Sequence, residues 1–100
     1  MAYEIKWTSL AKESFDDNVL YLHKEWTERE IIHFVNAVEA KLRLIAISPE
    51  LFTTSNKRKH IRKTIINKQI VLFYRHSKQS KRVELLVFWD SRRNPAKLKL

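Results

Sequence analysis

The stretch from Lys57 to Pro95, KRKHIRKTIINKQIVLFYRHSKQSKRVELLVFWDSRRNP, limits what this chain can fold into more than any other part. Apolar and polar residues alternate at period two through three runs separated by two short polar interruptions, the pattern of three strands joined by tight turns. In the first run Ile61, Lys63 and Ile65 share one face and His60, Arg62, Thr64 and Ile66 the other. Asn67-Lys68 reads as a two-residue turn, because asparagine tolerates the left-handed backbone such turns require. In the second run Ile70, Leu72 and Tyr74 oppose Val71, Phe73 and Arg75. After the polar turn Ser77-Lys78-Gln79-Ser80, the third run sets Val83, Leu85, Val87 and Trp89 against Glu84, Leu86, Phe88 and Asp90. The acids and Arg75 mark the second set in each run as the outer face.

The residues before this stretch change period. Tyr3-Glu4-Ile5-Lys6-Trp7 alternates as a half-buried strand does, and Thr8 and Ser9 then offer side-chain oxygens to the free amides of a helix start. Ala11, Phe15, Val19, Leu22 and Trp26 recur at helical spacing, which predicts an amphipathic helix of about four turns. Thr27 followed by Glu30 is a capping box, so a second helix begins almost where the first one ends. Its apolar positions are Ile31, Val35, Val38, Leu42 and Ile45, widened by Phe34, Ala37, Ala40, Leu44 and Ile47 as if neighbours press on two sides. So short a connection folds the two helices back as an antiparallel hairpin. Ser48-Pro49 ends the second helix, since the proline ring disfavours a helical residue before it. The expected architecture is α+β, a single domain over residues 1–100 with the hairpin on one face of a sheet.

Several function classes are excluded by what is missing. The chain has no glycine, and a Rossmann or P-loop fingerprint needs glycine for close approach to phosphate. It has no cysteine, hence neither disulfides nor thiolate metal ligands. No metal site or cofactor is expected. No apolar run nears the roughly 20 residues of a membrane span, and MAYEIKWTS lacks a signal-peptide core, so a cytoplasmic protein with no membrane partner is expected.

Charge is divided unevenly. Residues 1–52 carry six Lys/Arg and nine Asp/Glu, a net of −3, while residues 53–100 carry fourteen and two, a net of +12. Such a gradient draws a polyanion or an acidic protein to one side of the fold. The outer face read from the strands joins Ile66, Val71, Phe73, Leu86 and Phe88 to Arg62 and Arg75, and two helices hardly cover both faces of a sheet. The tail Ala96–Leu100, a second copy or a partner segment must cover the rest. A partner is favoured, because apolar groups interleaved with arginines suit an amphipathic acidic peptide.

The order of these pieces, a strand, a helical hairpin ending in SPELF, a strand bearing HIRK, a hairpin with QIVLFYR and a last strand running into FWDSRRNP, resembles the RelE/ParE superfamily of bacterial type II toxins over Tyr3 to Leu98. The resemblance implies a mostly antiparallel four-stranded sheet with the hairpin on one face and the first and last strands together in its middle. It also implies a cognate antitoxin, usually acidic where it wraps the toxin, in a hetero-oligomer; Ile66, Val71, Phe73, Arg75, Leu86 and Phe88 are the candidate contacts.

The superfamily divides by target. One branch cleaves mRNA on the ribosome, chemistry that needs a group to activate the ribose hydroxyl, cations for the crowded phosphorane and a proton donor for the leaving oxygen. Here Arg62 matches the family's sheet arginine, Lys57, Arg58, Lys59 and His60 precede it, and Arg92 and Arg93 match the basic pair after the final strand. Arg62, Arg92, His60 and Lys59 are therefore the catalytic candidates, and Lys57, Arg58, Lys59, Arg62, Arg75, Arg92 and Arg93 the candidates for holding RNA or another target. The branch's C-terminal tyrosine or histidine is missing after Trp89, which is closer to the ParE-like toxins that inhibit DNA gyrase by binding. Of the other ring residues, His23 and His33 are read as surface, His76 as solvated at a turn, and Trp89 as core by the parity of Val87. His60, among cations, resists protonation and suits a neutral base.

Overall fold

The computed structural model describes residues 2–55, 58, 60–67, 69–93, 97 and 98, apart from the side chains of Leu22 and Glu25. The elements run β1 (Glu4–Trp7), α1 (Ser9–Glu25), α2 (Glu28–Ile47), a 3-10 turn (Pro49–Leu51), β2 (Arg62–Ile65), β3 (Ile70–Ser77) and β4 (Arg82–Asp90). Both helix starts follow from their caps. Thr8 Oγ1 accepts the Ala11 amide at 3.1 Å, and Thr27 with Glu30 forms the reciprocal capping box. Pro49 closes α2 and opens the 3-10 turn.

The sheet order is β1-β4-β3-β2, with β1 parallel to β4 and the other pairs antiparallel. The first and last strands do lie together, but β1 is at the edge; β4 and β3 form the middle. The reason is at Tyr3, whose amide donates to Ala46 O at 2.7 Å, so the end of α2 occupies the side where a further strand would pair.

Two local features reverse the facing expected from alternation. The first is the β2–β3 turn. Ile66 N donates to Ile70 O at 2.8 Å, which leaves three residues in the loop rather than two; Asn67 Oδ1 holds it by accepting the amides of Gln69 and Ile70, each at 2.8 Å. One extra residue turns every β2 side chain to the other face. Arg62, Thr64 and Ile66 therefore face the helices, while Ile61, Lys63 and Ile65 face away.

The second is a bulge in β4. Phe73 pairs with Val87 but Tyr74 pairs with Leu85, so Leu86 is the unpaired extra residue. Beyond it the parity inverts: Phe88 enters the helix-side core, and Val87 and Trp89 move to the opposite face. Neighbouring polar groups fix this bulge. Thr8 Oγ1 donates to Leu85 O at 2.6 Å, Ser14 Oγ accepts the Phe88 amide at 2.9 Å, and Asn18 Nδ2 donates to Phe88 O at 3.0 Å. Where β1 stops, α1 takes over the edge of β4.

The main core lies between hairpin and sheet, from Ile31, Phe34, Val38 and Ile45 to Leu72, Tyr74, Val83, Leu85 and Phe88. Trp7, Phe15 and Phe88 meet ring to ring at centroid distances of 5.4 to 5.5 Å. The widened side of the α2 stripe is covered only in part: Phe34 and Ala37 join the core, whereas Leu44 and Ile47 are exposed. A second, smaller cluster of Ile61, Phe73, Val87 and Trp89 lies on the far face.

Candidate functional site

The far face of the sheet brings together part of the expected surface. Val71, Phe73, Leu86 and Arg75 lie there as alternation implies, but Ile66 and Phe88 do not; both are buried under the helices. Ile65, Ile61, Val87 and Trp89 stand in their place. Leu98 packs against this cluster and covers part of the face. Ile65 remains 64% exposed.

Arg58, His60 and Arg75 converge on one open cleft of about 380 Å³ with Thr8, Leu10, Ile61 and Leu86. Arg58 and His60 are exposed, and Arg75 Nε donates to Glu84 Oε1 at 2.9 Å across the strand pair. A cleft with two guanidiniums and an imidazole attracts phosphate or carboxylate groups. Lys57 and Lys59 lie outside the described residues.

The two arginines expected to stabilise charge are committed elsewhere. Arg62 faces the helix side after the β2 reversal, and its Nη1 donates to Phe52 O at 2.7 Å and more weakly to Glu50 O at 3.4 Å. Beside it the Tyr74 hydroxyl donates to Pro49 O at 2.7 Å, and burial pushes this phenol up to about 12 although Arg62 pulls the other way. Together they fasten the segment after α2 to the sheet.

Arg92 reaches Asp90 through Nε at 3.1 Å and Nη2 at 2.8 Å, and its guanidinium sits 5.0 Å from the Tyr21 ring centre. The hydrogen bonds from Arg92 hold the Asp90 carboxyl below its ordinary range against the upward push of burial, and Arg92 is raised in turn. Arg93 takes the other direction and stacks over Trp89 at 5.0 Å. The two arginines line a cleft of about 460 Å³ with Ser14, Asp17 and Asn18.

Trp89 is buried, as its parity with Val87 predicts, but in the far-face cluster rather than the helix-side core. His23 and His33 are exposed. His76 corrects the expectation of a solvated turn residue: it lies within β3 with its side chain 13% exposed, its Nε2 3.6 Å from Glu50. The residues missed by alternation, Ile65 and Trp89, carry no local signal, because β2 mixes polar and apolar residues on both faces, β4 is apolar on both around its bulge, and turn length and bulge position decide between the faces.

No protein-family model and no curated protein matches the sequence. Solved structures do match the fold. The toxin–antitoxin complex RelBE2 from Mycobacterium tuberculosis aligns with a TM-score of 0.61 at 16% identity, covering 90% of this chain and 99% of that one. The YoeB/ParE toxin from Agrobacterium tumefaciens aligns with a TM-score of 0.61 at 15% identity over 87% of this chain and 96% of its own. Strand, helical hairpin and four-stranded sheet in this order are therefore the fold that this chain shares with toxins of the RelE/ParE type.

Proposed function

We propose that this chain is the toxin of a toxin–antitoxin pair, that it arrests growth by binding an essential target, and that an acidic antitoxin neutralises it in the cytoplasm. The observation that carries the choice of binding over cleavage is the commitment of Arg62 and Arg92. Both guanidiniums are held by acceptors of the chain itself, so neither is poised to meet developing charge on a phosphate. What stays available is an apolar floor of Val71, Leu86 and Ile65 rimmed by Arg58 and Lys63, with Arg75 paired to Glu84 and Arg93 stacked on Trp89 at its margin, a docking surface. DNA gyrase is the expected target. Purified chain at stoichiometric excess should block gyrase supercoiling, and undiminished supercoiling removes this target.

A second reading, a ribosome-dependent mRNA endoribonuclease, is favoured by one observation, the placing of His60 in a cleft with Arg58 and Arg75. New 5′ ends mapped by primer extension on translated mRNA after induction, lost in His60→Ala, would replace the binding reading with this one.

A further inference from the structure

Helix α2 carries a second strip, on the side turned away from the sheet. At about 100° per residue, Ile32, Asn36, Arg43 and Ile47 fall within roughly 60° of one another, opposite the buried Ile31, Phe34, Val38 and Ile45. All four are exposed, Ile32 at 54% and Ile47 at 71%, the largest exposure of any big apolar residue described. Exposed apolar residues scattered singly need no explanation. These are not scattered.

The spacing is symmetric. Positions 32 and 47, and positions 36 and 43, share one midpoint between Glu39 and Ala40. Turned end for end about that point, the strip sets apolar on apolar at both ends, and the small Ala40 side chain at its centre lets two helix backbones come close. Charge follows the same rule. Arg29 lies as far from the midpoint as Glu50, and Glu39 lies one turn from the position opposite Arg43, so a reversed copy brings each arginine a carboxylate. Among the described residues Arg29, Glu39 and Arg43 are in no ion pair, and the Asn36 side chain makes no hydrogen bond. Glu50 meets Lys78 at 2.8 Å through Oε1, which leaves Oε2 for a further donor.

The strip carries both signs, so it selects neither a polyanion nor an acidic peptide; a reversed copy of α2 complements it position by position. Pairing there also holds the basic surfaces of two chains apart. The strip and the far face of the sheet lie on opposite sides of the molecule, and residues 53–100 carry a net of +12.

We propose that α2 is a self-pairing surface: two copies of this chain pack antiparallel about a two-fold axis at Glu39–Ala40, with Ile32 of each against Ile47 of the other and Asn36 against Arg43. A contact of this kind closes on itself, so the product is a dimer and not a filament. One helix pair is a small interface, and the dimer should dissociate on dilution. The inference rests on α2 alone; the function proposed above does not enter it.

The test is sedimentation equilibrium of the full chain over about two decades of concentration. Dimer mass should appear at the upper end and fall to monomer mass at the lower. Each contact occurs twice by symmetry, so Ile32→Lys or Ile47→Glu alone should weaken pairing at least ~10-fold. The two substitutions together should restore it, because the introduced charges then face each other, and such a rescue excludes misfolding as the cause of the single losses. Disulfides read the register, since the chain has no cysteine of its own. Ile32→Cys and Ile47→Cys chains, mixed and oxidised, should crosslink to each other and neither to itself, because the axis leaves like positions roughly 22 Å apart. Monomer mass at every concentration, a dimer that Ile47→Glu does not weaken, no rescue in the double variant, or self-crosslinking of Ile47→Cys overturns the inference.

Discussion

Beneath the helices, the sheet buries Leu72, Tyr74, Val83, Leu85 and Phe88 at 2% exposure or less, whereas the opposite face leaves Val71 and Leu86 half-buried and Ile65 at 64%. Both faces are apolar in composition, so hydrophobicity alone does not decide which becomes core. The helix side also supplies polar partners, Thr8, Ser14 and Asn18, that satisfy β4 where β1 ends. Among the described residues, the far side receives Leu98 and the Arg93 guanidinium over Trp89. A face completed from within stabilises the fold; a face left incomplete is free to bind.

The largest test of this difference is Phe88→Ala. With Phe88 packed on Trp7 and Phe15 beyond the bulge, the substitution should cost about 3–5 kcal/mol by chemical denaturation. Ile65→Ser on the far face should change stability by less than about 0.5 kcal/mol. A Phe88→Ala cost below about 1 kcal/mol would mean that β4 keeps simple alternation and has no bulge.

That bulge marks the boundary of what the residues tell by themselves. Helix limits, the capping box at Thr27, the proline stop and the strand positions are legible because each is fixed by neighbours within a few residues. The facing of β2 depends on whether the turn holds two residues or three, and that of β4 on bonds from Thr8, Ser14 and Asn18, 70 to 77 residues away in sequence. Arg62 shows the consequence for the site: a lone arginine in an alternating strand reads as outward, yet two backbone carbonyls after α2 make the helix side acceptable to it. Arg58, His60 and Arg75 line one cleft, a convergence that alternation does not state, since Arg58 and His60 precede β2 and Arg75 lies on β3.

A middle-sized effect probes the polar seam. Asn18→Ala removes the donor to Phe88 O and leaves that carbonyl unpaired under α1, at an expected cost of about 1–3 kcal/mol. Ser14→Ala should act on the other side of the same residue and speed hydrogen exchange at the Phe88 amide. Exchange at Phe88 as slow as in the parent chain would deny that α1 guards this edge.

A smaller effect concerns acid. The Asp90 carboxyl is lowered in the folded chain, chiefly by its hydrogen bonds from Arg92, so the unfolded chain takes up the proton first as pH falls. The contribution is present above the ordinary aspartate range and is lost as pH drops through the lower, folded value. Thermal midpoints of the parent and Asp90→Asn should therefore differ at neutral pH and converge in strong acid. A constant gap would assign the difference to packing against Tyr21 rather than to charge.

The smallest effect tests the absence of glycine. Among the described residues Lys81 alone has positive φ, 54°, at the end of the β3–β4 turn. A side chain in this left-handed region costs roughly 1–2 kcal/mol that glycine does not incur. Lys81 returns part of this through its ammonium, 5.4 Å from the Tyr3 ring centre, and through its carbonyl, which accepts the Glu4 amide at 2.9 Å. Glycine keeps the carbonyl and loses the ring contact, an exposed interaction worth about 0.5–1 kcal/mol. Lys81→Gly should then gain about 0.5 kcal/mol, after the flexibility that glycine adds to the unfolded chain is subtracted. Lys81→Val, branched where the backbone is most crowded, should lose more than the glycine gains. If both variants are equally stable, the turn relaxes away from positive φ, and the register that sets Val83 and Leu85 beneath the helices is held by α1 and β1 rather than by the turn.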